Sequence, residues 1–188
     1  MNKNCHRLKK IEIMDKFAMD RAITRMTYQI IEKNRGVSDI VLIGIYRRGC
    51  EIAERIKQKI KKLECKEISM GVIDIANYRD DRKPSLDHKD MTDIDFSYKN
   101  KSVILVDDVM FTGRSVCAAI EGIMDKERPK DIQLAVLIDR GHREVPIRPD
   151  YVGKNVPTSR NEDIRVEVLE RDGFDRVFIL DVSNDVNS

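Results

Sequence analysis

Val103-Ile104-Leu105-Val106-Asp107-Asp108-Val109-Met110-Phe111-Thr112-Gly113-Arg114-Ser115 is the stretch on which the reading of this chain turns. Four apolar residues in a row have the continuity of a strand covered on both faces, as in a parallel sheet. Two adjacent carboxylates follow at its carboxyl end, and a short Thr-Gly-Arg-Ser turn opens into the helical run Val116-Cys117-Ala118-Ala119-Ile120. The vicinal hydroxyls of a sugar suit the carboxylates, because each can accept two hydrogen bonds from them. A phosphate suits the turn, where free backbone N–H groups meet the positive end of a helix. Carboxylates and an anion cradle only a few residues apart imply one ligand carrying both a pentose and a phosphate.

Outward from that stretch, strand and helix alternate. Upstream, a helix is expected from Met14 to about Lys33, with Met19, Ile23, Met26 and Ile30 on one stripe. Arg21, Thr24, Arg25 and Tyr28 fall opposite, and Asn34-Arg35-Gly36 closes the helix with a glycine suited to a left-handed cap. Asp39 to Ile45 reads as a buried strand, Tyr46-Arg47-Arg48-Gly49 as the turn after it, and Glu51 to Lys62 as a second helix. Lys66 to Ile75 gives a looser strand. Residues 76–101 are rich in Asp, Lys, Arg, Ser and Asn, contain Pro84 and show no period. They read as a long mobile loop around Tyr78-Arg79-Asp80-Asp81, of the kind that serves as a lid. Downstream come a helix to about Asp125, a buried strand from Ile132 to Ile138, and short strands at Tyr151-Val152, Ile164 to Leu169 and Val177 to Leu180. Strand alternating with helix at roughly 30-residue spacing predicts an open, mainly parallel α/β sheet. Such sheets bind ligands at the carboxyl ends of strands where the order reverses. Tyr46-Arg47-Arg48, Asp107-Asp108 and Asp139-Arg140 are all expected just beyond strand ends.

Composition narrows the classes. The 188 residues, 41% of them hydrophobic, suit one compact domain with a substantial core. Charged residues make up 36%, yet 35 basic against 33 acidic leaves a net charge of only +2. Any nucleic-acid contact must therefore come from a local patch. There is no Trp and aromatics are 5%, which argues against broad stacking platforms for bases. Cys5, Cys50, Cys65 and Cys117 are scattered, and His6, His88 and His142 lie at no metal-ligand spacing from them. Free thiols in a reducing cytosol and no zinc site are the expectation. Lys3, Cys5, His6, Arg7, Lys9 and Lys10 break any apolar signal core, and no run approaches a membrane span. A soluble, cytoplasmic protein without a membrane partner is expected.

Two other readings of the double acid compete. A Walker B element needs a partner Gly-x-x-x-x-Gly-Lys-Ser/Thr loop, which the chain lacks. An acidic strand-to-helix turn with Asp as a cap leaves the Thr-Gly-x-Ser sequence unexplained. The full combination resembles the phosphoribosyl-pyrophosphate (PRPP) signature of type I phosphoribosyltransferases, with Arg114 where a glycine is commonest. The run from Asp139-Arg140-Gly141-His142-Arg143-Glu144 through Pro157-Thr158-Ser159 resembles one branch of that family more closely. This branch combines uracil phosphoribosyltransferase activity with attenuation of pyrimidine-operon mRNA. The likeness extends over Gly44 to Gly49, Asp74 to Asp81 and 103–115, and through nearly the whole chain from the first helix.

The resemblance implies a single-domain type I phosphoribosyltransferase fold over 1–188. That fold has a mainly parallel twisted sheet flanked by helices, a small hood from the C-terminal segment and a flexible lid loop at about 76–101. It implies that uracil and PRPP give UMP and diphosphate, with Mg²⁺ carried mainly by the substrate and Asp107 and Asp108 as its protein-side oxygens. Asp107, Asp108 and Arg48 become the catalytic group, and Asp107, Asp108, Val109, Phe111, Thr112, Gly113, Arg114 and Ser115 hold PRPP. Arg47, Arg48, Gly49 and Arg79 meet the pyrophosphate, while Asp139, Arg140, Val156, Pro157 and Thr158 border the base. A leader mRNA, bound in response to UMP or UTP, would meet Arg21, Thr24, Lys33, Arg143, Arg148 and Lys154 on a homodimer or larger homo-oligomer. Tyr28 stands where the family often has His, and Tyr46-Arg47 where it more often has a smaller or hydroxylated residue. Those departures bear on RNA binding and turnover. His142, a lone imidazole between Gly and Arg, is assigned no catalytic role. A phosphoribosyltransferase of the same fold without an RNA role, or with a purine or orotate substrate, is the alternative.

Overall fold

A computed structural model of the chain describes residues 10–79, 88–159 and 161–181. Their elements run β1 (Lys10–Met14), α1 (Lys16–Lys33), β2 (Ile40–Ile45), α2 (Arg48–Glu64), β3 (Met70–Ile73), β4 (Ser102–Met110), α3 (Arg114–Lys126), β5 (Asp131–Asp139), β6 (Tyr151–Asn155), β7 (Glu162–Glu167), α4 (Leu169–Asp172) and β8 (Arg176–Asp181). Five strands make a parallel sheet in the order β3-β2-β4-β5-β6. The chain steps from β2 outward to β3, then returns to place β4 on the other side of β2. The order therefore reverses between β2 and β4, and a crevice opens beyond their carboxyl ends. A second, three-stranded antiparallel sheet has the order β1-β8-β7.

The central strands are apolar throughout because both faces are covered. On one face Leu42, Ile104, Val106 and Leu137 pack with Met19, Ile23, Met26 and Ile30 of α1 and Ile52, Ile56 and Ile60 of α2. Val166, Val168 and Val177 of the small sheet's segment join the same cluster. On the other face Val41, Ile43, Val103 and Leu105 meet Val116, Ala119 and Ile123 of α3. Asp15 caps α1, its carboxylate accepting from the Ala18 N–H at 2.7 Å, and the helix ends in Arg35 and Gly36 at positive φ.

Four departures from the sequence reading matter for the site. First, α2 begins at Arg48, three residues early, so Arg48 and Gly49 belong to a helical first turn instead of a loop. Glycine is a poor helix former, but a Cβ at Gly49 would stand 2.6 Å from the Val106 carbonyl oxygen and 3.2 Å from Asp107 Cα. Second, β4 does not stop before its acids. The β5 ladder continues through Asp107, paired with Val136, to Met110, paired with Asp139, because β5 supplies backbone partners regardless of side-chain charge. Third, charged Lys10–Met14 forms β1, pairing with β8, an edge that composition did not signal. Fourth, the end of the expected loop is packed. Val72 and Asp93 exchange backbone hydrogen bonds at 2.8 and 2.9 Å, and buried Tyr98 donates its hydroxyl to the Ile123 carbonyl at 2.8 Å. Asp80, Asp81 and Pro84 lie outside the described residues.

Candidate active site

A strand turns successive side chains to opposite faces, so two neighbouring acids must part company. Asp108 follows Ile104 and Val106 toward α2, and Asp107 follows Val103 and Leu105 toward α3. Each feels the charge of a different arginine, Arg48 acting on Asp108 and Arg79 on Asp107. Burial raises the pKa of both carboxyls above the usual carboxylate range, and the neighbouring Asp108 charge adds to the rise at Asp107. Arg79 and Arg48 pull the other way at their respective partners. The site thus holds two acids that gain from any added positive charge or hydroxyl donor.

The turn after β4 is tightly constrained. Gly113 has φ +90°, and a Cβ there would stand 2.5 Å from Val145 Cγ2. Gly113, at the head of α3, has no side chain to cap it, and the Arg114 N–H meets Thr112 Oγ1 only at 3.4 Å. Arg79 Nη1 donates to Ser115 Oγ at 2.9 Å, bringing a guanidinium to this turn. The 141–147 connection lies against it: the Glu144 N–H donates to the Thr112 carbonyl at 2.9 Å, and Arg114 pairs with Glu144 at 3.0 Å. Arg114, in the place of the commoner glycine, therefore points to Glu144. Val109 and Phe111 are half-buried beside the turn.

Arg47 is exposed, and its carbonyl accepts from the Cys50 N–H at 3.1 Å. Arg48 is engaged from outside the central sheet. Its Nε and Nη2 donate to Asp172 Oδ2 and Oδ1 at 3.2 and 2.9 Å, and this pairing raises the Arg48 pKa. Asp172, at the end of α4, is a residue the sequence reading missed; the polar Leu169-Glu170-Arg171-Asp172 run carries no motif that could have flagged it.

The residues expected at the base come together beyond β5. The Val156 N–H donates to the Asp139 carbonyl at 2.9 Å, and Val156 and Thr158 are buried while Pro157 is exposed. The side chains of Asp139 and Arg140 are already committed. Asp139 accepts from the Gly141 N–H at 2.9 Å and from Arg143. Buried Arg140 donates to Thr158 Oγ1 at 3.0 Å, to Asp163 Oδ1 at 2.9 Å and to the Glu162 carbonyl, with its guanidinium carbon 3.9 Å from the Phe111 ring centroid. His142 Nε2 meets the Thr158 carbonyl, so that nitrogen carries the hydrogen, and its ring lies edge-on to Phe111 with centroids 5.6 Å apart. Arg140 and His142 brace the 156–159 turn; neither is poised as a base.

Of the six residues expected to meet RNA, Arg21 and Lys154 line one cleft of about 510 Å³ between α1 and β6, together with Arg25. Lys154 Nζ donates to the Ile13 carbonyl at 3.1 Å, and Arg25 reaches the Gly153 carbonyl. Thr24 is half-buried, its hydroxyl donating to the Asp20 carbonyl at 2.7 Å. Lys33 pairs with Asp150 at 2.5 Å, Arg143 turns to buried Asp139, and Arg148 is exposed on the connection before β6. Of the six, Arg21 and Lys154 alone line that cleft.

Among the described residues no three His, Cys, Asp or Glu side chains gather to cage a metal ion. Two adjacent carboxylates suit Mg²⁺ shared with a ligand's phosphates, because that ion prefers hard oxygens and commonly takes only one or two from protein. Nor, among the described residues, is any helix long and apolar enough to cross a membrane.

Comparison with known proteins gives concordant likenesses. The family described as "Phosphoribosyl transferase domain" matches residues 11–171. A relative from Acetivibrio thermocellus named "Bifunctional protein PyrR" is 55% identical over 179 residues, covering 94% of this chain and 97% of its own length. One from Enterococcus faecalis with the same name is 52% identical, covering 90% and 96%. Among solved structures, a hypoxanthine-guanine phosphoribosyltransferase from Bacillus anthracis superposes with a TM-score of 0.68 at 22% identity, covering 94% and 99%. A hypoxanthine phosphoribosyltransferase from Staphylococcus aureus gives 0.67 at 19%, covering 94% and 96%. At that identity these two likenesses concern the fold alone.

Proposed function

The chain belongs to the phosphoribosyl transferase family, among the bifunctional PyrR proteins, and from that premise we propose how its site performs the two activities. It transfers the phosphoribosyl group of PRPP to uracil, giving UMP and diphosphate, and it regulates a pyrimidine operon by binding leader mRNA according to uridine nucleotide. The observation that carries the first activity is the pair of buried carboxylates Asp107 and Asp108 on β4, with the charge of Arg79 acting on one and that of Arg48 on the other.

During transfer, the bond from the ribose anomeric carbon to pyrophosphate breaks while a bond to uracil N1 forms, N1 gives up its proton to water or to the departing pyrophosphate, and positive charge gathers on the ribose. The two carboxylates hold the ribose hydroxyls and face that charge. Phosphate at C5′ sits at the Thr112-Gly113-Arg114-Ser115 turn on the amides opening α3, beside Val109 and Phe111. Arg48, Arg79, the exposed Arg47 and the backbone at Gly49 take the negative charge that builds on the leaving group. Uracil lies against the wall made by Asp139, Arg140, Val156, Pro157 and Thr158, whose backbone groups supply a donor and an acceptor in one plane. Asp107 and Asp108 would hold Mg²⁺ brought in on the substrate, and that ion would supply positive charge against the pyrophosphate oxygens. Catalysis is positioning and electrostatics, with no covalent intermediate.

The small β1-β8-β7 sheet acts as the hood, and Arg79 reaches Ser115 from the start of the expected lid, whose residues 80–87 lie outside the described residues. The chain works as one domain in the cytoplasm, where the free thiols Cys50, Cys65 and Cys117 stay reduced, and as a dimer or larger assembly. Two copies join their α1–β6 clefts into a basic RNA face, which supplies the local patch that the near-neutral net charge demands. Incubation with Mg²⁺, PRPP and each base in turn tests the enzyme reading. UMP from uracil alone is expected, and turnover of purines or orotate in its place overturns it.

A further inference from the structure

We infer that Asp172 is a positioning residue for pyrophosphate: it fixes the Arg48 guanidinium from behind so that its remaining N–H groups face the leaving group. The inference rests on the phosphoribosyl-transfer reading above. A guanidinium carries five N–H donors in a planar fork. Asp172 takes the edge formed by Nε and Nη2, at 3.2 and 2.9 Å, and leaves the Nη1 side for another partner. Arg48 also feels the charge of Asp108, so it is subject both to the hood carboxylate it is hydrogen-bonded to and to a ribose carboxylate.

Asp172 is itself held still. Its Oδ2 also accepts from the Val168 N–H at 3.0 Å, and its own N–H donates to the Val168 carbonyl at 2.7 Å. Its neighbour Arg171 grips the same β2–α2 junction a second time, pairing with Glu51 in the first turn of α2 at 2.5 Å and placing its guanidinium carbon 5.3 Å from the Tyr46 ring centroid. Two consecutive residues of α4 thus clamp both ends of Tyr46-Arg47-Arg48. A long arginine left unclamped samples many rotamers, and ordering it costs free energy at the moment of binding. Pre-paired with Asp172, Arg48 meets PRPP already ordered. Bidentate geometry and partial burial of both side chains separate this pair from an exposed surface bridge.

The test is a double-mutant cycle on uracil turnover with Mg²⁺ and PRPP, using wild type, Asp172→Ala, Asp172→Asn, Arg48→Ala and the Arg48→Ala/Asp172→Ala pair. Asp172→Ala should raise KM for PRPP about tenfold while kcat changes by less than about threefold. Asp172→Asn keeps an oxygen for Arg48 and for the Val168 N–H, and should recover most of that loss. On the Arg48→Ala background, Asp172→Ala should add nothing further. Wild-type KM in both Asp172 variants, a lowered KM showing competition with pyrophosphate, or an equal loss with and without Arg48 each overturns the inference. Those three outcomes leave the functional reading intact, whereas a folded wild type that makes no UMP overturns both.

Discussion

Asp107 and Asp108 are charged groups placed where burial disfavours charge, and the fold bears the cost for the sake of the site. Their pKa values are raised in the folded protein, so the native state holds protons that the unfolded chain has released. Stability contributed by these groups is therefore greatest below the ordinary carboxylate range, falls as pH rises, and levels off above the raised folded values. Replacing both with Asn preserves the acceptors that receive the Asp108 and Val109 N–H groups. The Asp107→Asn/Asp108→Asn protein should melt higher than wild type at pH 7.5 by about 1 kcal/mol, or roughly 2–4 °C. That advantage should shrink as the pH is lowered toward 4. The same protein should lose uracil turnover at least about a hundredfold. Scanning calorimetry across pH and a UMP assay check both halves; a variant less stable than wild type at neutral pH contradicts the electrostatic account. At this scale the sequence was informative about chemical type: acids, arginines and a Thr-Gly-x-Ser turn point to a pentose phosphate. It was silent about commitment. Nothing in Asp139-Arg140 shows that both side chains are held by Arg143, Thr158, Asp163 and Glu162, because those partners lie up to 23 positions away.

At the scale of elements, the approach of α2 to β4 fixes the distance between the pyrophosphate and ribose halves of the site. Gly49 allows that approach, since any Cβ there would meet the Val106 carbonyl at 2.6 Å. Gly49→Ala should raise helix propensity yet destabilise the protein by about 1–3 kcal/mol, the usual range for overpacking. It should also weaken PRPP binding by pushing Arg48 away from Asp108. Chemical denaturation and calorimetric titration with Mg·PRPP are the measurements, and an unchanged or more stable variant would show that the helix has room to move. Long periodic elements were legible in advance: the α1 stripe of Met19, Ile23, Met26 and Ile30 is fully buried. Their ends were not. A glycine in the first turn of α2 and acids inside β4 run against local propensity, and only a neighbouring strand or helix makes them favourable there. β1 was invisible for the same reason, its five residues gaining their ladder only from β8.

For the whole molecule, the basic cleft between α1 and β6 is lined by none of the residues assigned to the transfer site, so RNA binding and catalysis should separate by mutation. Arg21→Ala and Lys154→Ala should each weaken leader-RNA binding, and the slope of affinity against salt should fall by about one unit for each phosphate that the variant no longer neutralises. UMP formation should stay at the wild-type rate in both. Filter binding across a salt series checks the first statement; RNA affinity equal to wild type in both variants places the interface elsewhere. Arg143 was expected on that surface from the family resemblance, yet the fold turns it to the buried carboxylate of Asp139. The sequence by itself determined the architecture and the ligand class, because hydrophobic periodicity and short motifs are local and survive being read in one dimension. Tertiary structure alone decided which charges remain available and which residues orient them. Ion pairs such as Arg48–Asp172 and Arg140–Asp163 join distant parts of the chain, and a charge's availability depends on the partner that folding brings within hydrogen-bonding reach.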